Sequence, residues 1–266
     1  MKSLYAAAAF VFAAGSLAGA EALQPKGLAD YSGSFQKSSN IENGVRIDSR
    51  GKFVALDSKK RIAVDLKKKY RISCEYRITP GAKNEARFYF MPVCYNSKGR
   101  MITAACQTVL RNSDSVLTAA AKKGDKVIKV KDASKWNVKY ANVAFNAKKD
   151  LSDLPNFDVH GIASIKKSGD IWEVALRKAL TGNYPAGTAV RVQRDGMTHR
   201  YMLAFASPQA QWVKFSRVLS GAKPDGYPGY LNTWRPGTAQ AALRIFSAGK
   251  GNLAMEIRNV SIVEEK

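Results

Sequence analysis

Histidine occurs only twice in the 266 residues, at His160 and His199, and cysteine three times, at Cys74, Cys94 and Cys106. Asp158 lies two residues before His160, but no further histidine joins them and H-E-x-x-H is absent, which leaves metal-dependent hydrolysis little support. An odd cysteine count closes at most one bridge, so the chain is not disulfide-scaffolded, and no C-x-x-C spacing occurs. Cys74 and Cys94 fall in consecutive strand-like segments, where they either face each other across a hairpin or sit as buried thiols. The nucleophile elbow, the P-loop and the dinucleotide fingerprint are also missing. Long apolar runs are lacking after residue 20, which excludes a multi-span membrane protein. Acidic residues are scarce as well: 21 stand against 43 Lys and Arg, a net charge of +22. Such a surface favours polyanions.

The compartment decides among polyanions. Lys2, the apolar stretch from Leu4 to Leu17 and the A-x-A site Ala18-Gly19-Ala20 read as a secretory signal peptide over residues 1–20, cut before Glu21. The competing reading, a membrane anchor, needs a longer and less alanine-rich run. A secreted or periplasmic location follows, with no transmembrane span after cleavage. Export argues against chromosomal DNA. The charge is also dispersed: +9 for residues 21–117, +7 for 118–195 and +5 for 196–266, which excludes a detachable basic arm and a specific nucleic-acid groove reader.

Helical periodicity is scarce, whereas period-two alternation recurs between Gly, Pro, Asn, Asp and Lys clusters. The expected fold is all-β, two antiparallel sheets packed as a sandwich. The clearest strand is Tyr70 to Ile78, with Tyr70, Ile72, Cys74, Tyr76 and Ile78 on one face. Ala86 to Tyr95 follows, with Phe88 and Phe90 set against Arg87 and Tyr89. Shorter strands are read at Gly44–Asp48, Lys52–Asp57 and Arg61–Leu66, and later ones at His199–Ala206, Gln211–Leu219, Ala241–Ser247 and Leu253–Val263. Residues 113–195 read as short strands joined by GD, SGD and AG turns. They form an inserted, small β-barrel-like subdomain between the two parts of the sandwich, 21–112 and 196–266.

The outer segments YRISCEYRI, RFYFMPVCYNSKGRMI, PQAQWVKFSRVLSG, WRPGTAQAALRIF and NLAMEIRNVSIVEE resemble the galactose-binding-like jelly-roll domains of secreted bacterial carbohydrate-binding modules. The insertion, with LTAAAKKGDKVIKVKDASKW, SGDIWEVALRKAL and PAGTAVRV, is similar to small β modules embedded in secreted and phage-tail proteins. The first resemblance implies a jelly-roll β-sandwich that binds a glycan on its concave face or at its loop tips, without catalysis. It also leaves room for a structural calcium, carried over to no particular position, so the metal is unknown and no other cofactor is implied. One fold hosts many functions, so the site must carry the argument.

No catalytic residue is assigned. Glu75, Asp65 and Glu173 lie on strands, but nothing in the sequence brings two of them together as a glycosidase requires. Tyr89 and Arg87 suit a lyase acting on an acidic sugar. Asp150, Asp153, Asn156 and Asp158 offer oxygen ligands without the EF-hand order, and read as a turn-forming loop. Trp212 and Trp172, inside alternating strands, read as core. Trp234, beside Arg235, Pro236 and Gly237, reads as an exposed platform, and Trp136 as a similar one.

Strand parity places Glu75, Arg77, Arg87, Tyr89, Arg200 and Arg244 outward, and the expectation is that they share one sheet face; Trp234 completes the expected ligand-binding set as a stacking platform. Arginine forks bind carboxylate or sulfate bidentately, and aromatic rings stack on sugars. The resulting expectation is an exported, non-catalytic binder of acidic or sulfated polysaccharide. The alternatives are a polysaccharide lyase or glycoside hydrolase on the same fold, or an envelope or surface interaction protein.

Overall fold

The computed structural model describes residues 22–35, 37–83, 85–195, 204–223, 232–248 and 251–265. The first part of the chain forms β1 (Ala22–Leu23), β2 (Tyr31–Ser34), β3 (Ser39–Ile41), β4 (Gly44–Asp48), β5 (Ala55–Ser58), β6 (Ile62–Ala63), β7 (Lys69–Ile78) and β8 (Arg87–Tyr95). The middle forms β9 (Ser115–Val116), β10 (Val127–Val130), β11 (Ala141–Phe145), β12 (Val159–Ser168), β13 (Ile171–Leu176) and β14 (Ala189–Arg194). The last part forms β15 (Ala204–Ala206), β16 (Val213–Ser220), β17 (Gln240–Ala248) and β18 (Ala254–Glu265). The fold is all-β and every strand pair is antiparallel, as the alternation predicts.

Two six-stranded sheets face each other. The first runs β16-β7-β18-β4-β3, with β1 added on β18; the second runs β15-β8-β17-β5-β2, with β6 added on β17. On β7 the residues Tyr70, Ile72, Cys74 and Tyr76 turn inward, and on β8 Phe88, Phe90 and Cys94 do the same. The two inward rows meet: Tyr76 packs edge-on to Phe88 at 4.7 Å, and Phe90 edge-on to Phe215 of β16 at 6.1 Å. β17 contributes Leu243 and Ile245 and β18 contributes Ile257 and Ile262 to the same core. Truncating any of these isoleucines or leucines to Ala costs about 2–5 kcal/mol, since lost burial and a residual cavity add.

Consecutive strands cross from one sheet to the other: β4 to β5, β7 to β8, β15 to β16, β16 to β17 and β17 to β18. This corrects the hairpin expectation for Cys74 and Cys94, which lie in opposite sheets. All three cysteines are free and buried, and burial pushes the Cys74 thiol well above its ordinary range. Those thiols act as small apolar core groups.

Residues 115–194 build the third sheet, ordered β10-β13-β12-β11-β14-β9, around a separate core that includes Val130, Val143, Phe145, Ile162 and Val174. It is not closed into a barrel. Its edge strands approach at an isolated bridge, Leu117 to Val130. The loop before β12 meets the sandwich directly: Asn156 N–H donates to the Cys106 carbonyl at 2.7 Å, and Arg100 lies over the Phe157 ring at 4.1 Å. Gly237 has φ +72°, and a Cβ there would sit 2.6 Å from Pro155 Cδ, so both backbone and space require glycine at this contact.

Candidate functional site

The outward positions divide between two surfaces with the core between them. On the second sheet, parity turns Arg87 and Tyr89 of β8 outward, together with Arg244 and Phe246 of β17. Register sets Tyr89 opposite Phe246, and Arg244 opposite Asp57 of β5. The Tyr89 and Phe246 rings stack with centroids 4.4 Å apart and planes within 15°. Phe53, 64% exposed, continues the strip with its ring 6.0 Å from Phe246. Beside this strip Arg244 donates from Nε and Nη2 to the two carboxylate oxygens of Asp57, both at 2.6 Å. The Asp57 hydrogen bonds hold the Arg244 guanidinium even more firmly charged than usual. Further along the face, Arg61 lies over the Tyr95 ring at 3.5 Å. Flat apolar rings flanked by a charged planar fork can hold a sugar by face stacking and by in-plane hydrogen bonds to hydroxyls.

On the first sheet the outward residues of β7 include Ser73, Glu75 and Arg77. Cross-strand pairing sets Arg77 opposite Glu256 of β18, which in turn lies opposite Arg46 of β4. Glu256 is 3% exposed, and each of its oxygens is taken by one guanidinium: Arg46 donates to Oε1 at 2.6 and 2.9 Å, Arg77 to Oε2 at 2.7 and 2.8 Å. Burial alone would raise its pKa, but the hydrogen bonds from Arg46 and Arg77, with their charges, outweigh it and hold the carboxyl below the ordinary range. One row along, Arg258 Nε donates to Glu75 Oε2 at 2.9 Å. The indole of Trp212, just before β16, lies under both Arg258 and Arg77, at 4.1 and 4.5 Å to the ring centroid.

Near Glu75 the ladder between β18 and β7 shifts register between Arg258 and Ser261, where Asn259 takes φ +51°. This β-bulge opens a pocket of about 420 Å³ on the outer surface, lined in part by Lys26, Asn43, Ser73, Glu75, Lys214 and Ser261. Bulges commonly interrupt pairing next to binding sites.

The sequence-derived site is therefore redistributed. Arg87, Tyr89 and Arg244 do come together, whereas Glu75 and Arg77 lie on the opposite side of the sandwich. The expectation of one shared face fails because β7 and β8 belong to different sheets. Arg200 lies outside the described residues. Trp234 is corrected as well: it is 2% exposed, its indole packs edge-on to Tyr70 at 5.5 Å, and its backbone N–H donates to the Gly221 carbonyl. Trp136 is also buried, with Nε1 donating to the Ser113 carbonyl at 2.9 Å, so neither predicted platform is one. Trp212, expected in the core, is half-buried on the outer face, and Trp172 only partly joins the third sheet's core. Two of the missed residues had a signal. Trp212 shares parity with Lys214 and Ser216, and Phe246 shares it with Arg244. Phe53 and Asp57 had none beyond their segment, because their role depends on which strand lies beside β5.

The carboxylates of the 150–158 loop are engaged internally. Asp153 receives a bidentate pair from the fully buried Arg191 at 3.1 and 2.7 Å and a third hydrogen bond from Asn156, while Asp158 accepts the Tyr184 hydroxyl at 2.7 Å. Burial, and then the hydrogen bond to Asp158, push the Tyr184 phenol up. Among the described residues no three His, Cys, Asp or Glu side chains gather as a metal site. No helix among them is long and apolar enough to cross a membrane. No protein-family model and no curated protein sequence matches this chain.

Proposed function

We propose that the protein is an exported, non-catalytic carbohydrate-binding protein for acidic or sulfated polysaccharide, and that the outer face of the second sheet holds the glycan. The observation that carries this reading is the aromatic strip of Phe53, Phe246 and Tyr89 beside the bidentate Arg244–Asp57 pair. The rings offer apolar faces to sugar rings, and the pair offers donors and an acceptor at their edge to hydroxyls. Arg87 on the same face and the net charge of +22 favour glycans bearing carboxylates or sulfates. The crossing of consecutive strands between sheets supports the resemblance to galactose-binding-like jelly rolls. The separate core of residues 115–194 supports the reading of that segment as an inserted subdomain.

Binding without catalysis is favoured by the state of the carboxylate beside the strip. A glycosidase works with two carboxyls facing each other across the bond, whereas Asp57 is tied to Arg244 in a bidentate ion pair. The test is retention of the protein on gels containing acidic or neutral polysaccharide at low and high salt. The acidic glycan should retain it, and salt should weaken that retention, since exposed charges act over only ~8 Å at physiological ionic strength. The double variant Phe53→Ala, Phe246→Ala should lose retention while remaining folded. Undiminished retention of that variant, or release of unsaturated or reducing sugar ends, would overturn the reading.

A further inference from the structure

We infer that the bulge pocket on the first sheet is a second ligand site, one that takes a single carboxylated sugar unit. This rests on the polysaccharide reading for the class of ligand, but the pocket lies on the opposite side of the sandwich from the aromatic strip. The register shift after Arg258 removes β18 from its pairing with β7 over two residues, and Asn259 N–H instead donates to the Asn43 carbonyl at 3.0 Å. The recess so formed measures about 420 Å³, at the small end of the range for ligand pockets and suited to a monosaccharide unit rather than a long stretch of chain.

Its lining is polar and convergent. Ser73 and Ser261, cross-strand neighbours in the lining, share a hydroxyl–hydroxyl hydrogen bond of 2.9 Å, and the exposed Asn43 and Asn259 line it as well. Lys26 and Lys214 are exposed at the same pocket, and neither ammonium has a carboxylate within 4.0 Å among the described residues. Glu75, the one carboxylate in the lining, is neutralised by Arg258 at 2.9 Å, which removes most of its repulsion toward an anion. Two unpaired cations select a carboxylate, and the amides and hydroxyls select a polyhydroxylated ring; together they describe a uronate. With the strip on the other sheet, one molecule then holds two glycan segments on opposite sides.

The experiment is titration of the full chain with free glucuronate, its methyl ester and glucose, followed by amide chemical shifts and by calorimetry. Glucuronate should shift the amides of Ser73, Asn259 and Ser261 and bind at least tenfold more tightly than glucose or the uncharged ester. The double variant Lys26→Ala, Lys214→Ala should lose about tenfold or more of that affinity, since a hydrogen bond to a charged group is typically worth that much. Both lysines are exposed, and an unchanged thermal midpoint confirms the variant's fold. Equal binding of the three sugars, absence of shifts at the pocket, or full affinity in the lysine variant would overturn the inference. The aromatic variant Phe53→Ala, Phe246→Ala separates the two claims: it should bind glucuronate normally. If the pocket fails while that variant loses gel retention, only the second site is wrong. If the pocket binds glucuronate while gel retention ignores the aromatic variant, the function proposed for the second sheet is wrong and the pocket stands.

Discussion

The two outer faces of the sandwich are built by the same rule and end with opposite chemistry. On each, every second residue of a central strand points to solvent. On the first sheet these positions carry Arg46, Glu256, Arg77, Glu75 and Arg258, and cross-strand pairing ties them into a charge ladder around an almost fully buried carboxylate. On the second sheet they carry Phe246, Tyr89 and Arg244, and the same kind of pairing stacks rings and ties Arg244 to Asp57. An outward position is thus not by itself a ligand position. The first face spends most of its charge internally, whereas the second leaves a ring such as Phe53 open to solvent.

The sharpest way to break this comparison is to remove the central carboxylate of the ladder. Glu256→Gln leaves Arg46 and Arg77 with no full counter-charge. Removing one partner of a fully buried pair costs 3–5 kcal/mol, but both arginines are partly exposed, so a loss of about 2–3 kcal/mol is expected in denaturant unfolding. Next in size is the response to acid. Because the folded-state pKa of Glu256 lies below its unfolded value, its stabilisation is complete above the unfolded pKa of about 4.3 and is lost as pH falls below that through the folded pKa. Unfolding measured between pH 6 and pH 2 should therefore show a steeper acid loss in the native chain than in Glu256→Gln; parallel curves would disprove the linkage.

On the second face, Arg244→Ala should cost only about 1 kcal/mol of stability, the scale of a partly exposed ion pair, while also weakening polysaccharide retention. Smallest is Phe53→Ala. With its ring mostly in solvent, stability should change by less than about 0.5 kcal/mol, yet retention on the acidic-glycan gel should fall severalfold. A variant that lowered stability and left retention intact would reassign Phe53 from ligand contact to packing.

Particular residues show how far the sequence could be read. The inward row Tyr70, Ile72, Cys74 and Tyr76 and the outward row Glu75 and Arg77 were legible, because a pleated strand alternates its side chains whatever surrounds it. The same holds for Phe88 and Phe90 against Arg87 and Tyr89. Trp234 misled because a turn sequence rich in Pro and Gly signals surface, whereas this turn folds back so that the indole closes the core beside Tyr70. Trp212 misled in the other direction: a large aromatic inside an alternating strand suggested burial, but it has the parity of Lys214 and sits beneath two guanidinium groups. The bulge pocket carried no local signature, since a register shift is a property of two strands rather than one.

The amino-acid order alone determined that the chain is all-β, that it is strongly basic, and which side chains alternate along each strand, because these depend on composition and on the local period of two. The tertiary structure decided which sheet each strand joins, which charges meet as pairs and where a bulge opens a pocket. Those outcomes depend on contacts between residues far apart in the chain: Glu256 with Arg46 and Arg77, Arg244 with Asp57, and Asn259 with Asn43. Local alternation cannot encode them, since flipping a strand from one sheet to the other keeps the alternation and changes every neighbour.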